Sequence, residues 1–328
     1  MNCEVQSKPV SAVIPIRNGE DFIEECHTQV SRNLTKDDEA IFVVNGSSGL
    51  SYKMLVRLCA DQKNMRVINL GEVTLVDALN QGIQEAQHNW IARFDVDDLY
   101  DDFRISKQRA QIDSETVAIF SDYRFIGLGR QNLGYMPSAI FNIPTLVSLF
   151  GKNRTAHPSA LFNKSAFEAA GKYRREDESV EDLSLWLRMA RLGKFKTVPQ
   201  SLLNYRLHGN SVIAKSRKLA IANSEKVLNS IGLPSGILEN AVRSAKLIMS
   251  DYENFTYANE RRLLFLANLY RGISISGIEN KETRQVQKMI ILQIARPGSF
   301  SAGARLGWEY ANRRNYRKQL QSELGWQS

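Results

Sequence analysis

Two hydrophobic periods trade places along the first hundred residues. Short apolar runs of strand length occur at Ala12-Val13-Ile14-Pro15-Ile16, Ala40-Ile41-Phe42-Val43-Val44, residues 66–70 and Trp90-Ile91-Ala92-Arg93-Phe94. Pro15 predicts that the first strand stops there, because proline gives the ladder no N–H. Between the runs the apolar residues recur at helical spacing. Phe22, Ile23, Cys26 and Val30 share one face of residues 20–30, and Leu75, Ala78, Leu79, Ile83 and Ala86 share one face of residues 74–87. Residues 51–63 predict a further helix. Asn18-Gly19 reads as a turn and the stretch from Asn45 to Gly49 as a loop.

The pattern loosens after Asp102. Residues 104–112 predict a helix, 117–127 a strand, and 131–151 a loop leading into a short helix with the apolar stretch 146–150. His157-Pro158-Ser159 precedes the strand Ala160-Leu161-Phe162. A helix over 165–170 is closed by Gly171, and one over 181–192 is closed by Gly193 with Leu183, Trp186, Leu187 and Ala190 on its buried face. Tyr205-Arg206-Leu207-His208 ends an extended segment. Strands alternating with helices over short loops predict an α/β fold, with a mainly parallel central sheet in a three-layer α/β/α sandwich. No Gly-x-Gly-x-x-Gly follows the first strand and no Gly-x-x-x-x-Gly-Lys-Ser/Thr is present, so neither a dinucleotide-binding fold nor a P-loop is supported.

Asp95, Asp97 and Asp98 directly follow the fourth apolar run. Three carboxylates at a strand's carboxyl end stand where open α/β sheets bind ligands, and such oxygens suit Mg²⁺ or Mn²⁺ shared with a diphosphate. The plainer reading is an acidic helix start with Asp97 or Asp98 as N-cap. Glu181-Asp182 also opens a predicted helix, where carboxylates gain from the helix dipole. They are either first-turn acids or a positioned base.

In order along the chain, Val13-Ile14-Pro15-Ile16-Arg17-Asn18-Gly19-Glu20, Ala78-Leu79-Asn80-Gln81-Gly82-Ile83, Ile91-Ala92-Arg93-Phe94-Asp95-Val96-Asp97-Asp98, His157-Pro158-Ser159, Val180-Glu181-Asp182-Leu183-Ser184-Leu185-Trp186-Leu187-Arg188 and Tyr205-Arg206-Leu207-His208 together resemble a bacterial family 2 glycosyltransferase of the GT-A fold. The resemblance spans about residues 10–213. It implies an inverting transfer from a nucleotide-diphosphate sugar, with UDP as the expected nucleotide, to a carbohydrate or lipid-linked hydroxyl in surface polysaccharide or glycolipid synthesis. It implies Mn²⁺ or Mg²⁺ as cofactor, Asp97 as main metal ligand, and Asp95 on the ribose or a metal-bound water. Asp182 is the implied base, with Glu181 positioning it or the acceptor. His208 is implied as a third ligand or diphosphate contact, and Arg206 as a diphosphate partner through its planar fork. Pro15, Arg17, Asn45 and Asn80 fall on the nucleotide side. His157 is structural or faces the acceptor.

Two departures touch the base specificity. Relatives usually carry Asp-Asp-Gly-Ser after the second strand, where this chain has Asn45-Gly46-Ser47-Ser48, and Thr74 stands where glycine is common. Asn45 can still accept from uracil N3–H, but without charge. A binding protein that keeps the pocket without turnover is therefore an alternative, and a scaffold recruited by its tail is another.

Composition adds an asymmetry. The 328 residues carry a net charge of +8, yet residues 215–328 hold 18 basic and 9 acidic side chains while the first 214 are near neutral. The expected domains are a catalytic part over 1–214 (nucleotide half 1–98, acceptor half 99–214) and a helical basic region over 215–328. Phe300, Leu306, Trp308, Tyr310 and Tyr316 interleave with Arg305, Arg313, Arg314, Arg317 and Lys318. This suits an anionic membrane surface or packing on the catalytic part equally, and nucleic acid poorly for want of a motif. No signal peptide is visible, and Cys3, Cys26 and Cys59 fit buried thiols in a reducing compartment. The expected location is cytoplasmic, peripheral on the inner face of the membrane.

Overall fold

The computed structural model describes residues 8–46, 49–136, 138 and 155–208, together with Asn223 and Val227. The chain divides into two units, residues 1–138 with 155–206, and residues 139–154 with 207–328. The description below concerns the first. The apolar stretch 146–150 and the helices expected beyond residue 215 lie outside the described residues.

The strands are β1 (Val10–Ile16), β2 (Glu39–Val44), β3 (Met65–Asn69), β4 (Trp90–Arg93), β5 (Leu99–Tyr100), β6 (Thr116–Ile126), β7 (Asn132–Met136), β8 (Leu161–Asn163) and β9 (Lys194–Arg206). The helices are α1 (Ile23–Asn33), α2 (Leu50–Cys59), α3 (Leu75–Glu85), α4 (Arg104–Arg109), α5 (Lys164–Ala169) and α6 (Glu181–Met189). One sheet runs in the order β3-β2-β1-β4-β8-β6-β9-β5, with β7 paired to β6. The β3-β2-β1-β4 half is parallel. Beyond it β8 runs antiparallel to both β4 and β6, β9 returns parallel to β6, and β5 closes antiparallel on β9. The sheet is thus parallel in its first half and mixed in its second.

Successive strand residues point to opposite faces, and this sorts the helices. Ile14, Ile16, Phe42, Val44, Ala92 and Leu161 share a core with Ile23, Cys26, Val30, Leu55 and Ile105, which puts α1, α2 and α4 on that face. Val13, Val43, Phe120 and Phe162 point the other way. There α3 crosses so closely that a Cβ on Gly82 would meet Val13 Cγ1 at 2.7 Å and Val43 Cγ2 at 2.8 Å. On the same face Phe167 of α5 packs on Phe162, and Trp186 of α6 packs edge-on to Phe120 and Phe162. These are the three layers expected from the sequence.

The first strand does not stop at Pro15. The Ile16 carbonyl accepts from Asn45 N–H on the β2 side, and the Val13 carbonyl accepts from Phe94 N–H on the β4 side. Pro15 shares the parity of Val13, so its nitrogen faces β4 beyond the last β1–β4 pair, Val13–Arg93, and no ladder bond is lost. Residues 132–136 form β7 and not a loop. Helices α2 and α6 end at Cys59 and Met189, short of the positions 63 and 192 expected for them.

Candidate functional site

The four parallel strands deliver their carboxyl ends to one edge, where Arg17, Asn45 and the aspartates follow β1, β2 and β4. Gly19 ties two of these loops together. A Cβ there would lie 2.9 Å from Val96 Cγ1, so the loop after β1 approaches the aspartate loop as only glycine allows.

Asp95, Asp97 and Asp98 converge, with one carboxylate oxygen from each within 4.8 Å of the others. Asp95 and Asp97 are half-buried. Asp98 is 2% exposed. It caps no helix. Its Oδ1 accepts the backbone N–H of Arg206 at 2.8 Å, and its Oδ2 is buried with no partner among the described residues. Burial holds the Asp98 carboxyl well above the usual carboxylate range, helped by Asp97 and Asp95. Asp95 is raised too, by burial, although Arg93 opposes this through a 2.6 Å ion pair. Three hard oxygen donors that repel one another, one of them orphaned, fit a divalent cation such as Mn²⁺ or Mg²⁺.

Just past the carboxyl end of β2, Asn45 is 2% exposed. Its Nδ2 donates to the Val73 carbonyl at 3.4 Å, and its Oδ1 is buried without a partner among the described residues. Pro15 is buried and Arg17 exposed at the same edge. Asn80, on α3, donates Nδ2–H to the Tyr173 carbonyl and accepts Tyr173 N–H at Oδ1. The Arg206 guanidinium is buried, pairs with Glu25 at 2.7 Å and lies 5.0 Å over the Phe22 ring. Glu25 also pairs with Arg130. His208 lies two residues beyond β9, in the second unit.

Glu181 and Asp182 form the first turn of α6, which has no side-chain N-cap. Asp182 is half-buried, and its Oδ1 accepts the Leu183 N–H at 2.7 Å. Glu181 is buried, and burial with the adjacent Asp182 charge pushes its carboxyl up to about 7. His157 Nε2 meets the Tyr173 hydroxyl at 2.7 Å, and its ring stands edge-on to Trp186. Burial holds His157 well below the usual histidine range, so the imidazole is neutral.

Arg93 and Tyr173 were not singled out in the sequence. Arg93 carried a signal, a cation inside an apolar run, since a buried arginine needs a carboxylate. Tyr173 carried none, because its partners lie 16 and 93 residues away.

Residues 11–171 match the family described as Glycosyl transferase family 2. The chain is 26% identical over 267 residues to the amylovoran biosynthesis glycosyltransferase AmsE of Erwinia amylovora, covering 77% of this chain and 99% of that protein. Among solved structures it resembles S. aureus TarS 1-349 in complex with UDP-GlcNAc, with TM-score 0.58 and 15% identity, covering 96% of this chain and 92% of that one. It spans 55% of a longer TarS chain. A mannosyltransferase from Pyrobaculum calidifontis in complex with GDP-Man and Mn²⁺ matches at TM-score 0.50 and 13% identity, covering 96% and 84% of the two chains. The architecture is the GT-A fold.

Proposed function

We propose that this chain, which matches the family described as Glycosyl transferase family 2 over residues 11–171, is a glycosyltransferase that moves a sugar, with inversion, from a UDP-sugar to a carbohydrate or lipid-linked hydroxyl. The observation that carries this reading is the convergence of Asp95, Asp97 and Asp98 within 4.8 Å at the carboxyl end of β4. Asp97 and Asp95 would hold Mn²⁺ or Mg²⁺, with the buried Asp98 beside them. When bound, the ion supplies Lewis-acid stabilisation to the departing diphosphate.

The chain's own residues do the rest. Asp182 takes the acceptor's proton as its oxygen attacks the anomeric carbon, the bond from that carbon to the diphosphate oxygen breaks, and the configuration inverts. Glu181, behind it, positions the acceptor or Asp182. Asn45 offers its buried Oδ1 to a nucleobase N–H, and uracil N3–H meets that need where cytosine N3, an acceptor, does not. Arg17 and Pro15 complete the nucleoside side, and Arg206 would turn from Glu25 to the diphosphate. AmsE is named for amylovoran biosynthesis, which supports a role in surface polysaccharide or glycolipid synthesis. The excess of basic over acidic residues in 215–328 supports a peripheral position on anionic lipid at the inner membrane face. Among the described residues no helix is long and apolar enough to cross a membrane.

Calorimetric titration of Mn²⁺ in the presence of UDP tests the site. Asp97→Asn removes one anionic ligand and should weaken Mn²⁺ about tenfold or more. Equal affinity in both proteins would remove Asp97 from the metal site. A protein that binds UDP with Mn²⁺ but turns over no nucleotide sugar would favour the binding-protein alternative, for which the uncharged Asn45 is the supporting feature.

A further inference from the structure

Asn80 and Asp77 sit three residues apart on one face of α3, and both reach the same distant segment. Asn80 Nδ2 donates to the Tyr173 carbonyl at 3.0 Å, and Tyr173 N–H donates back to Asn80 Oδ1 at 3.2 Å. Asp77 Oδ1 accepts from Arg175 Nε at 2.6 Å. The Asp77 carboxylate is fixed at the same time, because its Oδ2 accepts from the Thr74 hydroxyl and backbone in the capping box that starts α3. The exposed Asp77–Arg175 pair is the weaker of the two points, and the paired amide bonds of Asn80 the stronger.

The clamped segment leads into the helix that carries the proposed base. Arg175–Asp177 is one turn of 3₁₀ helix. The Asp177 carbonyl accepts Val180 N–H at 3.0 Å, and its carboxylate accepts the Ser184 hydroxyl. Tyr173 also holds His157 through its hydroxyl, and His157 abuts Trp186, one turn beyond Asp182. α6 has no side-chain N-cap, and these contacts add to the burial of Leu183, Leu185, Trp186 and Leu187 in fixing its start.

We infer that Asn80, seconded by the Asp77–Arg175 pair, is a positioning residue that fixes Glu181 and Asp182 relative to the nucleotide half of the site, and is not itself a nucleotide contact. This rests on the proposed role of Asp182 as base. A proton acceptor displaced by about 1 Å costs on the order of a hundredfold in rate, while ground-state binding elsewhere is untouched. The clamp therefore acts on kcat and leaves donor affinity alone.

The experiment compares full-length wild type with Asn80→Ala and, as the variant safest for folding, Arg175→Met, whose exposed side chain supports no core. Three readings are taken. These are UDP affinity with Mn²⁺ by calorimetry, kcat and KM with whichever of UDP-GlcNAc, UDP-glucose and GDP-mannose the wild type turns over fastest, and amide hydrogen exchange. Asn80→Ala should keep UDP affinity within about threefold, lose about tenfold to a hundredfold in kcat at near-constant KM, and exchange faster across residues 173–189 with β1 to β4 unchanged. Arg175→Met should show the same pattern more weakly. A tenfold loss of UDP affinity in Asn80→Ala with exchange unaltered would make Asn80 a nucleotide contact and overturn the inference. Unaltered kcat and exchange would overturn it as well. If Asn80→Ala does not fold, unaltered exchange across residues 175–189 in Arg175→Met overturns it. A wild type that binds neither UDP nor GDP with Mn²⁺ speaks against the proposed function alone, since exchange still reads the clamp.

Discussion

Glu181 shows what burial does to one side chain. It holds its proton in the folded protein up to about pH 7, against an ordinary value of 4.5, first because it is buried and then because Asp182 stands beside it. Between those two pH values the folded state binds a proton that the unfolded chain has released. Stability contributed by this group is therefore present at low pH and falls as pH rises through that window. The loss has an upper bound of about 3 kcal/mol, from the size of the displacement. Glu181→Gln removes the titration. Its melting temperature relative to wild type should climb between pH 5 and pH 8, by several degrees. A difference that stays constant over that range would mean Glu181 is ionised throughout. Elsewhere at this scale the sequence pointed to the candidate carboxylates but not to their surroundings. Asp97 and Asp95 are legible from a strand followed by carboxylates. That Asp98 lies beneath them, bonded to the backbone of Arg206, depends on residues 108 positions apart. The expectation that Arg206 reaches a diphosphate meets a guanidinium already paired with Glu25, which no local pattern announces.

At the scale of elements, the β/α series up to β4 was legible because β1, β2 and β4 are largely apolar and buried on both faces, while β3, at the sheet edge, is only partly buried. The second half of the sheet was less so. β5 has two residues, too few for any period. β7 includes Gly134 at φ 140°, which reads as a turn residue. β9 is thirteen residues long, with Lys194, Lys196, Gln200 and Ser201 among them. Its place in the sheet comes from pairing with β6 and not from its own composition. The contact between α3 and the sheet gives a test at this scale. Gly82→Ala gains about 1 kcal/mol in helix propensity. The added methyl would nevertheless press into Val13 and Val43 at 2.7 and 2.8 Å, on strands that cannot easily retreat. Overpacking of this kind costs about 1–3 kcal/mol. Denaturant unfolding should show a net loss of stability, and a variant more stable than wild type would mean α3 has room to shift.

Over the whole molecule, the charge is divided between a near-neutral first 214 residues and a basic remainder. The proposed site residues all precede that boundary, so catalysis and recruitment should separate. Arg313, Arg314 and Arg317 changed together to Glu should reduce sedimentation with anionic vesicles at low salt and leave turnover intact. Each basic residue near such a surface is worth about 1 kcal/mol before screening. Wild type that ignores anionic vesicles at low salt would make the region a packing element. In the proposed site, aspartates after β4 hold the metal and a base at the head of α6 works on the same nucleotide sugar. The most direct measurement is Mn²⁺-dependent turnover of UDP-sugars by wild type and Asp182→Asn, with UDP affinity measured on the same preparations. Removing only the proton acceptor should leave UDP affinity unchanged and lower turnover by about 10²–10⁴. Undiminished turnover in Asp182→Asn, or a product that keeps the donor's anomeric configuration, would contradict it.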